Sequence, residues 1–172
     1  VDETPVPFED AVRFIRGTGA IVIYPTVADG ADPICGYEDP VEDLIERRGR
    51  HDIYGAELVT GRNTPECVDK YVKAWRDAGI IVTAGPEHNT LERITVDPTC
   101  VNDIPISEAS RDIFWEGVCV VAAHQHRKQQ GEQGYVDETG ALDPGFPDAE
   151  TRIRYYAEMG AELIYEATGT AR

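Results

Sequence analysis

The chain has 172 residues, enough for one domain with a sizeable core. It carries 32 Asp and Glu against 16 Lys and Arg, a net charge of −16, which argues against holding a nucleic-acid backbone through bulk charge. No apolar run approaches the ~20 residues of a membrane span, no basic-then-apolar leader opens the chain, and Cys35, Cys67, Cys100 and Cys119 form no C-x-x-C pair. Reduced thiols in a cytoplasmic protein are the expectation.

Phe8, Ala11, Val12 and Ile15 fall at helical spacing, and Gly17 and Gly19 supply a stop. Residues 20–24 (A-I-V-I-Y) read as a buried strand closed by Pro25, followed by a loop over 26–38 rich in Asp, Gly and Pro. A second helix follows, with Asp39 as its cap, Pro40 in the first turn and Val41, Leu44 and Ile45 on one face. Residues 54–59 form the second strand, with Glu57 inside it. Thr64 and Pro65 open a third helix whose buried stripe is Val68, Tyr71, Val72 and Trp75, and Gly79 ends it. The third strand covers 80–85. Helix, glycine, strand and loop thus recur, as in parallel (β/α) units.

Past residue 90 the pattern weakens. Residues 91–105 read as loop, and Ser107 caps a long helix running through Trp115, Val118 and Val121 to about Lys128. Residues 129–147 read as a Gly-rich polar linker. A last helix starts near Asp148 and uses Ile153, Tyr156 and Ala157; residues 161–167 fit its continuation or a fourth strand, leaning to helix. The whole is read as one domain over 1–172.

The chemistry concentrates after the strands. A carboxylate on an apolar strand, as at Glu57, is either neutralised by a cation such as Arg62 or recruited as a ligand or general base. The third strand runs into Gly85-Pro86-Glu87-His88-Asn89, where Glu87 and His88 are both ligand types for Mn, Zn or Fe. Adjacent residues at a strand end point opposite ways, so one of the two faces the site. His124 and His126 make an H-x-H, but on a helix these side chains diverge by about 200°. That expectation puts His124 on the buried face with Gly117, Val120 and Val121, hydrogen-bonded and bordering the pocket, and His126 outside; His51 is expected to be solvated.

Three segments, A-V-R-F-I-R-G-T-G-A-I-V-I-Y-P, Y-G-A-E-L-V-T-G-R-N and A-G-I-I-V-T-A-G-P-E-H, together resemble the later half of the PHP family, the polymerase and histidinol phosphatase-type metal-dependent phosphoesterases. The resemblance covers roughly residues 5 to 95. It implies part of a distorted seven-stranded (β/α) barrel with divalent Mn, Zn or Fe at the C-terminal ends of the strands. It further implies metal ligation by Glu57, Glu87, His88 and His124, with Glu57 and His88 catalytic. Tyr24, Arg62, Asn63 and Asn89 would contact a small anionic substrate, a phosphate ester. Tyr24 stands where the family often has a histidine, and Asn89 where another is found, so the implied metal site is a reduced one. The alternatives are an inactive PHP-like binding or assembly module and a carbohydrate-processing (β/α)-barrel enzyme. Three or four parallel strands do not close a barrel, so the chain is also expected to act as a homo-oligomer or beside the remainder of a longer polypeptide.

Overall fold

The computed structural model describes residues 5–86 and 97–169. Three strands, β1 (Ile23–Thr26), β2 (Gly55–Leu58) and β3 (Ile81–Ala84), pair in parallel in the order β1-β2-β3. Helices α1 (Phe8–Gly17), α2 (Val41–Gly49) and α3 (Pro65–Asp77) each precede one of these strands. Two long helices, α4 (Glu108–Gln129) and α5 (Ala149–Thr168), complete the described chain.

The sheet is open, which corrects the expected portion of a seven-stranded barrel. After β3 the described chain returns as helices, not strands, so no further strand extends the ladder. Each outer edge is dealt with differently. The Val59 amide donates to the Thr26 carbonyl, so Tyr24 and Thr26 turn their backbone groups towards β2, while Ile23 and Pro25 turn theirs outwards. Pro25 was expected to end the strand; it lies inside it, at an outward position where its missing N–H costs nothing. At the other edge α4 crosses β3 at Gly117. A Cβ there would sit 2.8 Å from the Val82 carbonyl carbon and closer still to its oxygen, so only glycine lets the helix lie on this backbone.

Side-chain alternation gives the sheet two faces. Tyr24, Ala56, Leu58, Val82 and Ala84 share one face with Val41 and Leu44 of α2 and Val68, Tyr71, Val72 and Trp75 of α3. The α3 stripe is the expected one, and its Thr64 cap accepts from the Cys67 amide. At α2 the expected cap is corrected: Pro40, not Asp39, holds the N-cap position, and no side chain caps there. Ile81 belongs to the second face, with Val120 and Ala123 of α4 and Ile153 and Tyr156 of α5. Phe114 at the start of α4 reaches the first cluster, so α4 straddles the β3 edge and joins both cores.

Helix α4 buries Gly117, Val120 and His124 on the expected face, together with Phe114, while Trp115 and Val118 are exposed. One further expectation is corrected. Residues 129–147 are not a linker: Tyr135 and Val136 are buried against α4 and α5, and Val136 bridges Leu142. Residues 161–167 continue α5, which touches α4 closely enough that a side chain at Gly160 would meet the Cys119 backbone.

Candidate functional site

The ends of parallel strands are where an α/β sheet usually offers ligand groups, because the loops that follow the strands gather there. Glu57 occupies that position on β2, in register with Pro25 and Thr83. It points to the face away from α2 and α3 and is half-buried. Gly85, just past β3, passes directly beside it: a Cβ at Gly85 would overlap the carboxylate and lie 2.8 Å from the Glu57 Cγ. The strand end is therefore kept bare to make room for this side chain.

On the opposite face Tyr24 lies in a different environment. Its ring centre is 4.4 Å from the Arg48 guanidinium carbon and 6.2 Å from the Tyr37 ring. Burial raises its phenol above the ordinary value, and the nearby Glu38 carboxylate adds to that rise. Because successive residues alternate across a strand, Tyr24 and Glu57 sit on opposite sides of the sheet and cannot line one pocket. The shared substrate site inferred from the sequence is corrected on this point.

Arg48 and Glu38 were not singled out in the sequence, and both are built into this end of the molecule. The Arg48 guanidinium, 1% exposed, donates to the Gly55 carbonyl at 3.2 Å and to the Thr26 hydroxyl at 3.0 Å. It also lies 5.1 Å from the Trp75 ring. Among the described residues no carboxylate ion-pairs with it; carbonyls, a hydroxyl and aromatic faces meet its charge instead. Burial lowers its pKa to about 10, partly offset by Tyr24 and Glu38. The buried Glu38 carboxylate accepts from the amides of Val27 and Ala28, at 3.2 and 2.8 Å, and so ties down the loop that leaves β1. A spacing signal existed for Arg48, which follows Val41 and Leu44 at i+7 and i+4 on the buried face of α2. Nothing local marks Glu38.

The remaining expected site residues divide. Asn63 is fully buried and its amide is committed: the Oδ1 accepts from the Gly30 amide at 3.3 Å and the Nδ2 donates to the Val59 carbonyl at 2.6 Å. It braces the turn after β2 from a fully buried position, where it is closed off from the solvent a substrate would arrive from. Arg62 stands exposed on the 3-10 turn beyond β2, its side chain starting against Gly30.

His124 is buried, as expected, and His126 exposed. The His124 Nε2–H donates to the Gly19 carbonyl at 2.8 Å, which leaves Nδ1 as an acceptor without a partner, pressed against Gly134. Gly19 precedes β1, so this histidine lies towards the N-terminal end of the sheet. There it borders a cleft of about 530 Å³ with Ile21, Ile23, Val121 and Lys128. Burial lowers its pKa, and the Lys128 charge contributes to that lowering. Its expected place as a metal ligand beside Glu57 is therefore not the one it occupies.

Glu87, His88 and Asn89 lie outside the described residues. Among the described residues no three His, Cys, Asp or Glu side chains converge as a cation site, so Glu57 alone does not fit a metal. No helix of the described residues is long and apolar enough to cross a membrane. Comparison with protein-family models, curated proteins and solved structures returns no match for the chain.

Proposed function

We propose that this chain is a PHP-like binding or assembly module of the cytoplasm. In this reading it takes a small anionic ligand at the strand ends and works as a homo-oligomer or beside the remainder of a longer polypeptide. The observation that carries it is the separation of the expected site residues that the structure describes. Glu57 is the one expected ligand found at the strand mouth among the described residues, Tyr24 lies across the sheet, and His124 lies towards the other end. A chain at −16 repels anions at long range, so a small anion here needs a local cation, and Arg62 beyond β2 is the candidate.

The second reading, a metal-dependent phosphoesterase with Mn, Zn or Fe, is favoured by one feature, the glycine that makes room for the Glu57 carboxylate. It requires Glu87 and His88 as further ligands. The test is equilibrium dialysis with Mn²⁺ and Zn²⁺ beside turnover of a generic phosphomonoester, on wild type, Glu57→Gln and His88→Ala. The module reading expects no stoichiometric metal and no turnover, together with inorganic phosphate binding that weakens in Arg62→Ala. Stoichiometric metal with turnover lost in both ligand variants would establish the enzyme instead.

A further inference from the structure

The outer edge of β1 carries no neighbouring strand among the described residues, whereas α4 lies over the β3 edge. Ile23 turns its amide and carbonyl outwards there, and by strand alternation so does Ile21 two residues earlier. These outward groups meet no backbone partner among the described residues. Pro25, the next outward residue, offers a carbonyl and no N–H. The edge is therefore a short hydrogen-bonding template that ends at Pro25.

Alongside it runs the cleft of about 530 Å³ between β1 and α4. Ile21, Ile23 and Val121 make its apolar wall, and Gln125, Lys128 and Gln129 its polar rim. Ile21 packs with the second-face core, so by alternation the side chains of both isoleucines turn to the face on which α4 lies. The chain carries 32 Asp and Glu, yet none lines this cleft. Its cation is Lys128, whose side chain lies against Gly19, just before β1 begins. The ammonium donates to Glu138 at the surface and keeps two further protons to give.

We infer that this groove binds the C-terminal end of an extended peptide, paired antiparallel to β1 with its carboxylate at Lys128. This rests on the binding-module reading above and adds a partner and a surface to it. Charge complementarity selects the occupant: a carboxylate finds a cation and no opposing acid here, on a chain that elsewhere repels it. The cation stands where β1 begins, and only an antiparallel strand brings its C-terminus to that end. With the last peptide residue opposite Ile21, its N–H donates to the Ile21 carbonyl and the Ile21 N–H donates to the carboxylate. The third-last residue then exchanges both bonds with Ile23, and the fifth-last donates to the Pro25 carbonyl. Pairing stops there, because Pro25 has no proton to return. Paired residues share a face, so the last and third-last side chains enter the cleft beside Ile21, Ile23 and Val121 and need to be apolar.

The probe is a fluorescent hexapeptide with valine at its last and third-last positions, serine elsewhere and a free carboxylate. Fluorescence polarisation is followed to about 1 mM protein, and saturable binding is expected. Amidating the peptide end, or placing aspartate third from last, is expected to weaken binding about tenfold or more. Lys128→Gln is expected to weaken it about fivefold with unchanged thermal unfolding, since an exposed ion pair adds little stability. Ile23→Pro removes an outward N–H that the sheet does not use, and the folded variant is expected to lose binding. If that variant does not fold, the amidated peptide and Lys128→Gln decide. Equal binding of the amidated peptide overturns capture of a chain end, and undiminished binding by folded Ile23→Pro overturns strand addition. No saturable binding overturns the inference outright. Phosphate binding that depends on Arg62, measured on the same samples, would then leave the module reading standing, and its absence would remove that reading too.

Discussion

The close passage of α4 over β3 at Gly117 makes a prediction whose size follows from geometry. In Gly117→Ala the added methyl would sit 2.8 Å from the Val82 carbonyl carbon, 3.1 Å from its nitrogen and nearer still to its oxygen. All three atoms belong to the backbone of β3, the edge strand, so no flexible side-chain end can yield. The helix must move away by about 1 Å or more, and overpacking of this kind costs about 1–3 kcal/mol, more where both sides are rigid. Here the move also loosens Phe114 in one core and Val120 in the other, because α4 joins the two. A loss near the top of that range, about 3 kcal/mol, is expected. At this chain length it lowers the melting temperature by about 6–12 °C. Urea unfolding followed by fluorescence of the buried Trp75 reads it, with Gly61→Ala as the control, since nothing lies within 4 Å of a methyl there. A Gly117→Ala variant within about 0.5 kcal/mol of wild type would refute the crossing of α4 on the Val82 backbone.

Three further outcomes follow. Arg48→Ala removes hydrogen bonds to Gly55 and Thr26 and leaves a hole beside Tyr24 and Trp75, for a loss of about 3 kcal/mol or more, seen in urea unfolding. Arg48→Met keeps most of the volume and removes a buried charge that has no carboxylate partner among the described residues, so its loss is expected to be distinctly smaller; equal losses would contradict this account of the site. Asn63→Ala removes the side-chain bonds to the Gly30 amide and the Val59 carbonyl, which keep backbone partners in the Val27 carbonyl and the Arg62 amide, costing about 1–2 kcal/mol, while phosphate binding by the folded protein is unchanged; a binding defect at full stability would restore its substrate role. Burial lowers the pKa of His124, so the unfolded chain takes up the proton first as pH falls. The contribution of neutral His124 is then fully present above the ordinary imidazole range and is lost as pH drops through that range towards the lowered value. Unfolding free energies at pH 8, 6 and 5 should fall less steeply for His124→Gln than for wild type, and parallel slopes would exclude the assignment.

The sequence alone determined the local repeat. Glycine-bounded β-branched runs after amphipathic helices specify parallel strands, and the α3 stripe of Val68, Tyr71, Val72 and Trp75 is the one the structure buries. Strand alternation was legible too, and it carries the consequence that Tyr24 and Glu57 part to opposite faces once their register is known. The register itself, the number of strands and the closure of the sheet belong to tertiary structure. They depend on contacts between residues far apart in the chain, such as Gly117 on Val82, that no local period encodes. The rotation of α4 was legible in part: helical spacing groups Gly117, Val120 and His124 on one face, and that face is buried. What they pack on was not, because the edge of β3 and the face of α5 are brought there only by folding. Residues 129–147 look like a linker because glycines and polar groups outnumber the few residues, Tyr135 and Val136 among them, that reach the core. Arg48 reads as a surface charge on composition, yet carbonyls from β1 and β2 are brought to it only by folding, and those distant groups make its burial tolerable.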